Sequence, residues 1–353
     1  MILVTGGAGF IGSNIVAELQ GRGETGLVVS DRLHSGEKWR NLQKRELADL
    51  VHPENLDGWL ADHGHRVGSV IHMGAISSTT ETDADLVIEN NFRLSLRLWD
   101  WCVEREVPFI YASSAATYGD GSAGFDDDQS PQHLAKLKPL NPYGWSKHLF
   151  DRRVCRIAEA EEEEEAGGGQ VGGRPGDESP TGAEARVKTP PQWVGLKFFN
   201  VYGPNEYHKE DMRSVVTKNF PVAARGEAVK LFKSYHPDYP DGGQKRDFVY
   251  VKDCVDVVLW FLENPDVSGL FNVGTGSAAT WDELIGALFR ALGREPRIEY
   301  VDMPEHLRRK YQYFTEARME KLREAGCAVS FRSVEEGVGD FVRSHLDTED
   351  PYV

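Results

Sequence analysis

Short apolar runs rich in β-branched residues alternate, through the first part of the chain, with longer stretches whose apolar positions recur at helical spacing. The runs at 2–5, 27–30, 70–72, 108–113 and 194–199 predict strands. The stretches at 10–20, 86–102 and 143–158 predict helices, the second with Leu86, Leu94, Leu98 and Trp101 on one face. Regular alternation of this kind predicts an α/β fold, a Rossmann-type doubly wound parallel sheet. Beyond Asn200 the pattern is less regular, and loops rich in Gly, Pro and His predict a smaller C-terminal substrate-binding lobe. The expected division is residues 1–158 plus 191–200 for the sheet domain and 201–345 mostly for the lobe. Segments around 246–275 return to the sheet domain. A length of 353 residues suits one large α/β unit with such an appendage.

Composition changes this picture at one place. Residues 159–190 hold the unbroken acidic run Glu161 to Glu165 and then a glycine-rich stretch, with nine acidic residues against three basic. Such a segment buries too little apolar surface to offset its ordering entropy, so it is expected to be a disordered acidic insertion. The whole chain has 40 Lys and Arg against 56 Asp and Glu, a formal charge of −16. That balance repels phosphate backbones and anionic lipid, so neither nucleic acid nor membrane is expected as a partner. No apolar run is long enough to span a bilayer, and Met1-Ile2-Leu3-Val4-Thr5 turns straight into glycines, which predicts a cytoplasmic protein. Cys102, Cys155, Cys254 and Cys327 contain no C-x-x-C and predict reduced thiols. His63-Gly64-His65 lacks a third ligand, so no metal is expected.

The chemistry begins at Thr5-Gly6-Gly7-Ala8-Gly9-Phe10-Ile11-Gly12, between the first strand and the first helix. Gly6, Gly9 and Gly12 satisfy the spacing that lets a backbone approach a pyrophosphate at a helix N-terminus. Asp31 follows 19 positions after Gly12, at the end of the second strand, where an acidic residue grips the ribose of NAD. Arg32 and Lys38 beside it could instead clamp a 2′-phosphate. The balance favours NADP, with NAD left open. Tyr143-Gly144-Trp145-Ser146-Lys147 puts a tyrosine and a lysine on one helix face. An ammonium beside the phenol lowers its pKa toward working pH, and Ser114 at the end of a strand would complete a Ser–Tyr–Lys proton-transfer set.

Ala112-Ser113-Ser114-Ala115-Ala116-Thr117-Tyr118-Gly119, Asn141-Pro142-Tyr143-Gly144 and Phe199-Asn200-Val201-Tyr202-Gly203-Pro204 resemble the extended short-chain dehydrogenase/reductases, the group of nucleotide-sugar epimerases and dehydratases. Arg246-Asp247-Phe248-Val249-Tyr250-Val251 and Phe271-Asn272-Val273-Gly274 fit the same group. Gly74-Ala75-Ile76-Ser77-Ser78-Thr79-Thr80-Glu81, Ile88-Glu89-Asn90-Asn91, His208-Lys209 and Arg309-Lys310-Tyr311-Gln312 resemble more narrowly its ADP-heptose 6-epimerase branch, over nearly the whole chain except 159–190 and the last residues. The resemblance implies transient oxidation at C6 of an ADP-activated heptose, a precursor of lipopolysaccharide inner core, by a bound nicotinamide cofactor. It implies Tyr143 and Lys209 as acid/base groups for the two faces, supported by Lys147 and Ser114. It implies cofactor contacts from Phe10, Ile11, Asp31, Arg32, Lys38, Met73, Gly74, Ala75, Ile76, Ser77, Asn90, Lys147 and Val201. Substrate contacts would come from Ser114, Asn200, Asp211, Lys218, Phe232, Lys233, Ser234, Tyr235, Arg246 and Tyr311, with Arg246 as the pyrophosphate clamp. A homo-oligomer, often a pentamer, is also implied.

The sequence departs from that branch at Pro53, where a lysine is expected, at Met73, Asp211 and Lys218, and in a longer segment at 235–244. Two other readings fit the residues. A nucleotide-sugar 4-epimerase or 4,6-dehydratase would share fold and cofactor. A non-catalytic Rossmann scaffold would bind cofactor with no need of a tuned tyrosine.

Overall fold

The computed structural model describes residues 1–166, 188–308 and 311–353. Six strands come first: β1 (Ile2–Thr5), β2 (Leu27–Ser30), β3 (Asp49–Val51), β4 (Ser69–His72), β5 (Phe109–Ser114) and β6 (Trp193–Phe198). They are followed by β7 (Asn200–Tyr202), β8 (Val229–Phe232), β9 (Lys245–Arg246), β10 (Phe248–Tyr250), β11 (Gly269–Val273), β12 (Ala279–Thr280) and β13 (Ile298–Val301). Among the described residues seven strands join in one sheet in the order β11-β6-β5-β4-β1-β2-β3, with every pairing parallel. The reversal of order between β1 and β4 is the switch point at which such sheets open a crevice. Helices cover both faces, so Val28, Val29, Val70 and Ile71 are fully buried, as the interior of a parallel sheet requires. Thr5 lies in register with Ser30 and His72, and Ser114 with Phe198, which brings the segments after these strands to one edge.

Two predicted helices differ from expectation. The stretch from Ala84–Ile88 to Leu94–Arg105 runs through a wider π turn at Glu89–Arg93. That turn sends Asn91 into the core, where it receives a hydrogen bond from the Ile76 amide at 2.8 Å and donates to the Ile76 carbonyl and the Ser146 hydroxyl at 3.0 Å each. The helix predicted to end at Ala158 continues as Pro142–Ala166. The start of the segment expected to be disordered is therefore helical. Glutamate is a good helix former, and Glu161 anchors the turn by accepting hydrogen bonds from the amide and hydroxyl of Thr189 at 3.0 and 2.6 Å. The remainder of that expectation, residues 167–187, lies outside the described residues.

The second lobe has its own core, in which Val216, Leu284, Leu288, Phe289, Val338 and Phe341 pack together. It is built from the helices Val215–Ala224, Trp281–Ala291 and Val334–Phe341 with the parallel pair β8 and β13. Phe10 belongs to this cluster although it stands in the first βα turn. The chain meanwhile returns to the sheet: β11 extends it beyond β6, and the helix Val251–Glu263 packs on Phe10–Gly21. No helix among the described residues is long and apolar enough to cross a membrane.

Beneath the edge where the crevice opens lies a buried charge pair. The Lys197 ammonium meets Asp151 at 3.0 Å, and both side chains are fully buried. Asp151 also accepts from the Tyr111 and Ser113 hydroxyls, and Lys197 donates to Thr117. Removing one member leaves the other charge uncompensated, so Lys197→Met should cost about 3–5 kcal/mol in a denaturant unfolding experiment. A loss near zero would mean that the pair carries no structural weight.

Candidate active site

The crevice at the switch point is a cavity of about 460 Å³. Its floor is the glycine turn. Gly6 has φ +66°, and a Cβ there would lie 2.5 Å from the Gly74 amide nitrogen; a Cβ on Gly12 would lie 2.2 Å from the Gly6 carbonyl oxygen. Only glycine permits two backbones to approach so closely. The helix that follows is capped by Gly9, which has no side chain to cover the first amides, and no acidic residue stands in its first turn. Those amides and the helix dipole are left for an anion. The geometry fits a dinucleotide pyrophosphate.

A smaller cavity of about 110 Å³ adjoins it, bordered by Asp31, Arg32, Lys38, Pro53, Ile76 and Asn90. Asp31 accepts hydrogen bonds from the Ala8 amide at 2.8 Å, the Arg32 amide at 2.7 Å and the Lys38 ammonium at 2.6 Å. Both of its oxygens are thus engaged by the protein, and Lys38 neutralises its charge. Arg32 donates to Asn90 at 2.8 Å. Pro53, in the position where a lysine is expected, borders this cavity and adds no charge.

Tyr143, Lys147 and Ser114 line the main cavity together. Tyr143 and Lys147 stand one turn apart on Pro142–Ala166, and Ser114 ends β5. Burial holds the Tyr143 phenol above its ordinary pKa, the Ser114 hydroxyl pulls it down, and Asp151 adds to the rise. Burial lowers Lys147 to about 8, against a smaller upward pull from Asp151. Lys147 therefore stands ready to lend positive charge to a phenolate only while it keeps its proton.

Lys209 reaches the same cavity from another element, the helical turn Tyr207–Met212 that follows β7. Its ammonium lies 5.4 Å from the centre of the Phe10 ring, over the glycine turn. Burial lowers its pKa, and Glu206 opposes the shift. Left-handed backbone brackets it, with Asn205 at φ +69° and Glu210 at φ +46°, strain that the surrounding hydrogen bonds sustain. Glu206 fixes the turn by accepting from the Ser214 amide at 2.6 Å and from the Thr217 hydroxyl at 2.6 Å. His208 is held neutral, its pKa lowered to about 4 by burial, with Lys38 and Lys209 adding to the effect.

The other candidate residues divide. Gly6, Gly9, Phe10, Ile11, Gly12, Met73, Gly74, Ala75, Ser77, Asn200 and Val201 line the main cavity. Arg246 is buried, donates to the carbonyls of Lys245 and Gln312, and lies 5.4 Å from the Tyr311 ring and 5.9 Å from that of Trp281, which does line the cavity. Phe232, Lys233, Ser234 and Tyr235 lie outside that lining, where Lys233 and Tyr235 both bond Asp302 and Arg308 stacks on Tyr235 at 3.9 Å. Asp211 and Lys218 are exposed and do not line the cavity; Met212, Arg213 and Ser214 line it instead. Arg309 and Lys310 lie outside the described residues. Sequence reasoning missed Glu206, Ser214 and Trp281, whose signals are tertiary, and gave no role to Asn91, which it quoted only as part of a motif with Asn90. His63 stacks on Trp59, and no group of three His, Cys, Asp or Glu among the described residues is placed to hold a metal.

A dinucleotide fold with a tyrosine and lysine in its crevice defines a nicotinamide-dependent enzyme of the short-chain type. Residues 2–274 match the model of the NAD dependent epimerase/dehydratase family, and the chain belongs to that family. It is 50% identical to a protein of Nitratidesulfovibrio vulgaris (strain DP4) named ADP-L-glycero-D-manno-heptose-6-epimerase, over 100% of both chains. It is 44% identical, again over 100% of both, to a protein of that name from Fusobacterium nucleatum. The solved ADP-L-glycero-D-manno-heptose-6-epimerase of Helicobacter pylori superposes with a TM-score of 0.72 at 26% identity, covering 97% of this chain and 95% of that one. The UDP-glucose 4-epimerase of Thermus thermophilus, solved with NAD, gives 0.67 at 26% identity and 97% coverage of each.

Since Lys147 must hold its proton to support a phenolate, kcat should fall as pH rises through about 8. A pH–rate profile that stays level until the ordinary lysine value of 10.5 would exclude this role.

Proposed function

We propose that this enzyme interconverts ADP-D-glycero-D-manno-heptose and ADP-L-glycero-D-manno-heptose by inversion at C6. The observation that carries the reading is the presence of two acid/base candidates from separate elements, Tyr143 and Lys209, in one cavity above the glycine turn. Inversion by oxidation and reduction needs a proton removed from and returned to the C6 oxygen with the sugar presenting either face. One tyrosine serves one presentation, and a second group is required for the other. The names of the full-length relatives support the choice of sugar.

When bound, the nicotinamide supplies a hydride acceptor and donor, so no net oxidant is consumed. The chain's own residues do the rest. The glycine turn and the first helix hold the pyrophosphate, and Asn91 clamps the Ile76 backbone beside the dinucleotide cavity. Tyr143 accepts the C6 hydroxyl proton in one direction, with Lys147 and Ser114 supporting its phenolate. Lys209, with burial lowering its pKa, handles the proton for the opposite presentation. Arg246 beside Tyr311 and Trp281 binds the substrate's diphosphate.

Purified enzyme given either epimer should produce the equilibrium mixture without added cofactor, resolved by chromatography or NMR. Tyr143→Phe should lower kcat by about 10²-fold or more while the fold persists. Wild-type turnover in that variant, or no conversion by folded parent enzyme, would sink the mechanism and move the assignment to another nucleotide sugar.

The cofactor we assign is NADP. Lys38 pairs with Asp31 and offsets its charge, and Lys38 and Arg32 bring two cations to the adjoining cavity, where a 2′-phosphate would meet them. Lys38→Ala should weaken NADP binding by about tenfold and leave NAD binding little changed, as measured by titration calorimetry. Equal losses for both cofactors would overturn the assignment.

A further inference from the structure

Residues 350–353 lie across the outside of the turn that carries Lys209. Lys44 donates to the Tyr352 carbonyl at 2.7 Å and pairs with Asp350 at 3.0 Å. The Tyr352 ring is buried, with the Arg40 guanidinium 4.5 Å from its centre and the Tyr207 ring edge-on to it at 5.1 Å. Tyr207 donates to the Pro351 carbonyl at 2.9 Å, and the Val353 amide donates to Asn205 Oδ1 at 3.1 Å. This strap therefore joins two segments. One is the turn Lys38–Leu42 and its neighbour Lys44, beside the smaller cavity that Asp31, Arg32 and Lys38 border; the other is 205–209, which ends in Lys209.

What the strap closes is a polar bracket around a strained backbone. Asn205 is fully buried in a left-handed conformation, and its Nδ2 donates to the Ser13 hydroxyl at 3.0 Å. Its carbonyl accepts from Asn41 Nδ2, at 3.0 Å, and the same amide group donates to the Ala8 carbonyl in the glycine turn at 2.9 Å. Asparagine is among the few non-glycine residues that adopt this conformation, and here hydrogen bonds on both sides hold it there. Ser13 and Asn41 hold it from the cofactor side, and the strap holds it from the other.

We infer that Tyr352 is a positioning residue for the reaction: wedged between Arg40 and Tyr207, it holds the 205–209 turn so that the Lys209 ammonium stays over Phe10 in the cavity. The inference rests on the reading of Lys209 as the second acid/base group. Tyr352 touches neither cavity, so it acts through Lys209. It also ties the placement of Lys209 to the Lys38–Lys44 segment, which borders the smaller cavity through Lys38.

The test is a double-mutant cycle on the epimerisation assay, with kcat, KM, melting temperature and cofactor affinity measured for each variant. Tyr352→Ala should lower kcat about tenfold with little change in KM, because displacement of a catalytic group costs rate. Tyr352→Phe keeps the ring and should restore parental kcat. In a Lys209→Ala background, with residual conversion followed at high enzyme concentration, Tyr352→Ala should add no further loss. Lys44→Met, which frees the strap at the surface, should give a smaller fall that also vanishes in that background and serves if Tyr352→Ala proves too unstable to assay. Equal fold-losses in both backgrounds, or parental kcat in Tyr352→Ala while Lys209→Ala is impaired, would overturn the positioning role alone. Parental turnover in Lys209→Ala would overturn the role of Lys209 itself, and the strap's role with it.

Discussion

The architecture of the site depends on one close approach of two backbones. The turn after β1 and the turn after β4 meet at Gly6 and Gly74 with no room for a side chain between them. That contact lets the first helix begin with its amides facing the crevice, and it places the 73–77 turn against the dinucleotide path. Everything with a chemical role is then arranged around this junction. Asp31 reaches across to the Ala8 amide, Asn91 holds Ile76 from below, and Phe10 projects from the turn into the core of the second lobe. The glycine turn thus belongs both to the cavity and, through Phe10, to the core of the second lobe.

Electrostatics are handled in two layers. Within the cavity, burial lowers the proton affinity of Lys147 and Lys209 below that of an ordinary lysine. Behind it, Asp151 and Lys197 form a fully buried pair on the helix that carries Tyr143 and on the adjacent strand. The pair satisfies the hydroxyls of Tyr111, Ser113 and Thr117 and ties that helix to the sheet edge where Ser114 ends. A buried ion pair is weak evidence for stability in itself. Its value here is geometric, because it fixes the helix that presents the tyrosine.

Lys209, the second acid/base group we propose, is held quite differently. Lys209 sits in a short turn with left-handed residues on both sides, and no strand or long helix fixes it. Glu206, Asn205 and the strap at 350–353 take over that task, through hydrogen bonds that reach beyond the turn itself. Tyr143 is thus placed by regular structure and Lys209 by a network of polar contacts. A change in that network can therefore move Lys209 while the helix that presents Tyr143 stays where it is.

The parallel sheet, the glycine turn, Asp31 and the Tyr143–Lys147 helix were legible from residue order alone, because each is written in local periodicity or in a spacing of a few positions. A return of segments around 246–275 to the sheet domain was also among the expectations. The continuation of the last predicted helix to Ala166 was not, since composition reports burial and says little of a solvated helix whose end is tied down by Thr189. Asp211 and Lys218 illustrate the same limit: a motif fixes which residues are near Lys209 in sequence, but the path of the folded chain decides which of them face the cavity. The roles of Glu206, Asn205, Trp281 and Tyr352 were hidden for one physical reason. Each acts through partners that only the folded chain brings within hydrogen-bonding or stacking distance, so no local pattern records them.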